Sequence, residues 1–162
     1  ISSYTPSLSA LIESHNPSAQ ALDQPSLLLV ARPDVSLPGV WGEIQIQDMQ
    51  SLNVPVTALI SRPASPGSVV EGLRDHRFAH FCVSRKSGGR HAIDASFQLR
   101  GGERLTLLEI VRSRLPNAEF SLLSCCHAAE ITEESIAGKG LHLTAAMQYC
   151  GFRNVVGTLW LI

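Results

Sequence analysis

EFSLLSCCHAAE, residues 119–130, runs from an apolar segment straight into two adjacent cysteines and a histidine. Its first half, FSLLS, sets apolar residues on both alternating faces, Phe120 and Leu122 on one and Leu123 on the other. That pattern predicts a strand buried on both faces, which is the signature of a parallel sheet covered by helices. Four other runs share the character: SLLLVA (26–31), VTALIS (56–61), FAHFCV (78–83) and NVVGTLW (154–160). Segments with helical spacing lie between them. SPGSVVEGLRDH offers Ser68 as a cap and Val69, Val70 and Leu73 as an apolar face. TLLEIVRSRL follows a capping Thr106, and LHLTAAMQYCGF sets Leu143, Ala146, Met147 and Cys150 on one stripe before Gly151 stops the helix. Two more helices are predicted within GVWGEIQIQDMQSL (39–52) and TPSLSALIES (5–14), where Pro6 suits a first turn. Strands alternating with helices predict an α/β fold with a mainly parallel sheet.

The chain has 162 residues, enough for one domain with a substantial core. Hydrophobic residues make up 44% and charged residues 17%, the balance of a folded and not a disordered chain. A net charge of −1 with scattered basic residues excludes an electrostatic footprint for nucleic acid. The longest apolar runs are too short to span a bilayer, no signal peptide pattern opens the sequence, and the cysteine usage suits a reduced compartment, from which a cytoplasmic protein is expected. The chain starts at Ile1 and ends in an apolar run at Ile162. Both ends suggest a piece of a longer protein, truncated at its C-terminus.

The cysteines are Cys82, Cys125, Cys126 and Cys150. None stands in a C-x-x-C pair, so reduced thiols are expected and neither a metal nor a cofactor is. Parallel sheets gather their chemistry at the carboxyl ends of the strands. One such end releases Cys125 and Cys126. Another releases the segment SRKSGGR (84–90), which reads as a basic loop. If those two strands are neighbours, the segments face each other across one edge, an arrangement that suits a thiol nucleophile and an imidazole base. Cys82 within a strand and Cys150 on a helix stripe read as inert core, and His80 within a strand reads as a structural histidine. His127 adjoins Cys126, and neighbouring side chains diverge. His91, in the loop after the third strand, is the better-placed imidazole. Elbow, P-loop, dinucleotide and zincin motifs are absent from the sequence.

The segment AEFSLLSCCHAAEITEESIAGKGLHLTAAMQYCGFRNVVGTLW resembles the C-terminal half of a CHAT domain, a caspase- and separase-like module often attached to TPR arrays. SLPGVWGEI, SVVEGLRDHRFAHF and DASFQL with ERLTLLEIV resemble the fungal branch. The resemblance implies a caspase-like three-layer sandwich over residues 1–162, incomplete at the C-terminus. It also implies a Cys–His dyad that cleaves a peptide bond in a protein substrate. Cys126 falls on the family nucleophile, and Cys125 replaces the usual alanine. The family His-Gly pair falls on Ser84 and Arg85, while His80 matches an earlier, non-catalytic histidine. The dyad is therefore expected to be degenerate, with His91 as the substitute base, and an inactive scaffolding role is the alternative. Cys-Val-Ser-Arg, at 82–85, can be encoded TGT GTC TCA CGG. Loss of the first base reads Val-Ser-His-Gly, so a paired insertion and deletion closing before Asp94 would hide an intact motif.

Overall fold

A computed structural model describes residues 8–15, 25–32, 54–60, 64–83, 85–86, 96–124 and 143–157. In chain order the elements are α1 (Leu8–His15), β1 (Leu27–Ala31), β2 (Val56–Ile60), α2 (Pro66–Asp75), β3 (Phe78–Cys82), β4 (Arg85–Lys86), β5 (Ser96–Gln98), a 3-10 turn (Arg100–Gly102), β6 (Arg104–Thr106), α3 (Leu107–Ser113), β7 (Phe120–Leu123), α4 (Leu143–Cys150) and β8 (Asn154–Gly157). Each of the five apolar runs forms a strand of one sheet, ordered β2-β1-β3-β7-β8 and parallel throughout. This is the α/β architecture expected of the caspase-like sandwich.

The register sorts the side chains onto two faces. Leu28, Val30, Ala79, Phe81 and Leu123 join Val69 and Leu73 of α2, Leu107 and Ile110 of α3, and Leu143, Ala146, Met147 and Cys150 of α4 in one core. The opposite face buries Leu29, Ala31 and Cys82 beside Val56, Ala58 and Ile60. Burial of both faces explains why the strands do not alternate in polarity.

The helices start where local hydrogen bonding dictates. In α2 the cap is Ser65, not Ser68. The Ser65 hydroxyl accepts from the Ser68 amide at 3.2 Å, and the Ser65 amide donates to Ser68 Oγ at 2.9 Å. Pro66 occupies the first turn, where its missing N–H costs nothing, so Ser68 serves as the returning partner of a capping box. Thr106 caps α3 as expected, in a reciprocal pair with Glu109. Gly151 ends α4 at a φ of 131°, where an added Cβ would stand 2.3 Å from the Leu115 carbonyl oxygen. Helix α1 overlaps the N-terminal stretch predicted to be helical and runs one residue past it to His15, whereas Pro6 and the predicted helix at 39–52 lie outside the described residues.

A second sheet has no counterpart among the expected elements. β4, β5 and β6 pair antiparallel, with Arg85 opposite Phe97 and Phe97 opposite Leu105. The three strands are so short that no run of alternating residues could announce them. Phe97, Leu99 and Leu105 belong to the main core, and the Phe97 ring stacks on Phe81 with centroids 4.5 Å apart. The small sheet is thereby packed against the end of β3.

Candidate functional site at the carboxyl edge of β3 and β7

β3 and β7 are direct neighbours. Phe78 stands opposite Phe120 and Phe81 opposite Leu123, and the Ser124 amide extends the ladder by donating to the Phe81 carbonyl at 2.9 Å. The carboxyl ends of the two strands therefore lie side by side, the juxtaposition that a thiol–imidazole site requires. The strand order also reverses beside them: the chain moves from β1 out to β2, then returns to β3 on the other side of β1. Open α/β sheets bind ligands at such reversals, outside the carboxyl ends of the strands. At this point the Arg32 amide donates to the Cys82 carbonyl at 3.0 Å, and Arg32 Nη1 donates to the Leu99 carbonyl at 3.3 Å. The reversal is thus tied to the small sheet.

Three polar side chains meet at this edge. His80 Nε2 lies 2.9 Å from Ser124 Oγ and 3.2 Å from Cys82 Sγ. His80 is 8% exposed, Cys82 is fully buried and Ser124 is half-buried. The ring nitrogen thus holds one contact within its own strand and one across to the neighbouring strand end. This bears out the reading of His80 as a histidine satisfied within the structure and of Cys82 as a core thiol. The convergence with Ser124 has no signal in the sequence, because residues separated by 44 positions leave no spacing pattern.

The sequence-predicted nucleophile Cys126, its neighbours Cys125 and His127, and the positions Ser84 and His91 lie outside the described residues. Arg85 is described by its backbone, as a residue of β4. The segment 84–90, read as a loop, is corrected to that extent: Arg85 and Lys86 form a strand because Phe97 and Ser96 of β5 offer them a ladder. Cys150 is core, as expected. Burial pushes its thiol up to about 12, an effect that backbone hydrogen bonding only partly offsets, and its Sγ donates to the Met147 carbonyl at 3.0 Å. An open groove of about 590 Å³ runs between α2 and α3 past Glu71, Arg74, Glu109 and Arg112, and none of its lining residues belongs to a strand. Among the described residues no three His, Cys, Asp or Glu side chains are grouped to hold a metal ion, and no helix is long and apolar enough to cross a membrane.

The comparison with known families covers the whole chain. A match to the CHAT domain spans residues 1–162. The chain belongs to the CHAT domain family. CHAT domains are caspase-like peptidase-family modules, and the five-stranded parallel sheet with its flanking helices is the fold that membership requires. No curated protein sequence matches this CHAT domain.

Proposed function

We propose that this CHAT domain is a cysteine-peptidase module whose site lies at the carboxyl edge between β3 and β7, with Cys126 as nucleophile, and that its dyad is degenerate. The observation that carries the reading is the adjacency of the two strands. Cys126 stands two residues after Ser124, the last described residue beyond β7, and two residues of chain reach at most about 7 Å. Position 84 follows Cys82 by the same interval. The pairing offset is constant from Phe78 with Phe120 to Phe81 with Leu123.

In an intact dyad, an imidazole at position 84 takes the thiol proton. The thiolate adds to the scissile carbonyl, the amine departs with that proton, and water then hydrolyses the thioester. Here Ser84 offers a hydroxyl that is no base at neutral pH. Without an imidazole, an ordinary thiol of pKa about 8.5 is only a few per cent thiolate. Arg85, in place of glycine, puts a side chain where backbone would approach the carbonyl. His91 is the candidate substitute base. The substrate class is protein or peptide, and the domain works within a larger cytoplasmic polypeptide of the TPR-linked kind. The Ser84–Arg85 pair favours a second reading, an inactive scaffold that recognises peptides without cutting them.

A peptide carrying a thiol-reactive acyloxymethyl ketone separates the two. Labelling of Cys126 well ahead of Cys150, competed by unreactive peptide, supports the peptidase module. Peptide binding without any labelling at Cys126 supports the scaffold and removes the nucleophile assignment.

A further inference from the structure

Both walls of the open groove between α2 and α3 carry charge of both signs. Glu71 and Arg74 come from α2, Glu109 and Arg112 from α3, and all four are exposed. In each pair the acid precedes the base by three residues, a spacing that keeps both on one face of their helix. The two helices run in the same sense, since each leads back to the amino end of a strand, α2 to β3 and α3 to β7. Arg74 and Arg112 are each the penultimate residue of their helix. Asn117, beyond α3, sits beside the end of α2, its Nδ2 3.4 Å from the Arg74 carbonyl oxygen. The acids therefore line one end of the groove and the bases the other. Glu109 is partly committed, since its Oε2 accepts from the Thr106 amide at 2.8 Å. Among the described residues Glu71, Arg74 and Arg112 have no ion-pair partner. Pro66 and Val70 supply a half-buried apolar floor. Helix dipoles favour acids early and bases late, but that preference does not set four charges around a single groove.

We propose that this groove is a contact between two copies of the chain, with α2 of each copy lying antiparallel against α2 of the other. A groove of one sign calls for a partner of the opposite sign. A groove whose acids and bases are separated along its length is complementary to itself turned through a half-circle. A twofold axis passing between Glu71 and Arg74 sets Glu71 of each copy against Arg74 of the other. The ridge of one α2 then enters the groove of its mate, Pro66 and Val70 are covered, and charges left unpaired in the single chain find partners. A helix of 10 residues is only about 15 Å long, so the contact is small and the association is of the weak, transient kind. It is independent of the chemistry proposed at the carboxyl edge of the sheet.

The test is sedimentation velocity of the full 162-residue chain from about 5 to 500 μM, the range a small transient contact calls for. The parent is expected to pass from monomer towards dimer across that range and to associate severalfold more weakly in added salt. Arg74→Glu and Glu71→Arg each set like charges against one another, and each should weaken association about tenfold or more. Mixed in equal amounts, the two variants should associate at close to the parent's strength, because one then carries only bases and the other only acids at the paired positions. The double variant, Glu71→Arg with Arg74→Glu, should recover self-association for the same reason. A parent that stays monomeric throughout overturns the proposal and leaves the groove to a different partner or to none. Single variants that associate as the parent does also overturn it, as does a double variant that stays as weak as the singles. If one single variant fails to fold, the other single and the double variant decide alone.

Discussion

At its amino end the β3–β7 seam is closed by charge; at its carboxyl end it is closed by a buried imidazole and a hydroxyl. Arg77, just before β3, pairs with Glu119, just before β7, and both side chains keep a fifth to a quarter of their surface in solvent. The Glu119 amide donates to the Arg77 carbonyl at 2.8 Å beneath them. Forty-odd residues apart in sequence, both pairs fasten the same two strands, yet they differ in consequence. A partly hydrated ion pair can be lost and replaced by water at small cost. A buried imidazole loses its partner without compensation. Polar groups kept where water cannot stand in for them point to the end of the sheet where chemistry is held. That is also the end where parallel sheets place their sites.

The largest expected effect breaks the comparison if it fails. Rebuilding the family pair with Ser84→His and Arg85→Gly together should raise cleavage of a peptide library on the order of 10²–10⁴-fold over the parent, the usual worth of a positioned general base. Adding Cys126→Ala should return the rate to background. Cleavage that survives Cys126→Ala, or no cleavage from the rebuilt protein beside an unchanged melting curve, would show that the carboxyl end is not the active end. Resequencing the gene across the codons for 82–93 adds an independent check: a shifted frame without His-Gly disposes of the frame-change account.

Next in size is a contrast between thiols. Cys150 sits on the helix-covered face, and burial lifts its thiol from 9.0 to about 12. The folded chain then holds a proton that the unfolded chain gives up above pH 9. Stability owed to this thiol is thus fully present below pH 9 and is lost as the pH rises from 9 towards 12, by up to ~1.4 kcal/mol per pH unit. Denaturant titrations at pH 8, 9 and 10 should show the decline in the parent and a shallower one in Cys150→Ala. Parallel slopes in the two proteins would mean that the thiol is not the cause. At pH 8 Cys150 should resist iodoacetamide until the protein unfolds, which makes it the internal reference for reactivity at Cys126.

The parts of this molecule that are legible in the sequence are those written in runs. Leu27–Ala31, Phe78–Cys82 and Phe120–Leu123 carry apolar residues on both faces, and a run of that kind between helix signals has few other places to go than a covered parallel strand. The adjacency of β3 and β7 enters the sequence reading as a condition, and the sheet meets it. What stays illegible depends on contacts between distant residues. β5 and β6 are three residues each and exist because Phe97 finds Phe81. The sequence pattern puts the cap of α2 three residues late because Ser65 and Ser68 are equivalent as letters and differ only in which one precedes Pro66 in the first turn. His80 with Ser124 is the same problem at the site: each is unremarkable alone, and only the strand register joins them.

The smallest effect sharpens the comparison most. Glu119→Gln removes the charge at the amino end of the seam while keeping the shape of the side chain, and it leaves the amide that donates to the Arg77 carbonyl in place. Arg77 keeps about a fifth of its side chain open to water. The loss should therefore be about 0.5–1 kcal/mol in denaturant titration, shrinking in added salt as ion pairs of this kind are screened. Ser124→Ala is expected to cost more, about 1–2 kcal/mol, and to respond little to salt, because it takes the cross-strand partner from the buried His80 imidazole. If Glu119→Gln costs as much as Ser124→Ala and both costs fall alike in added salt, the seam behaves as one rigid unit. The two ends then differ in composition alone, and no special role is left for the imidazole.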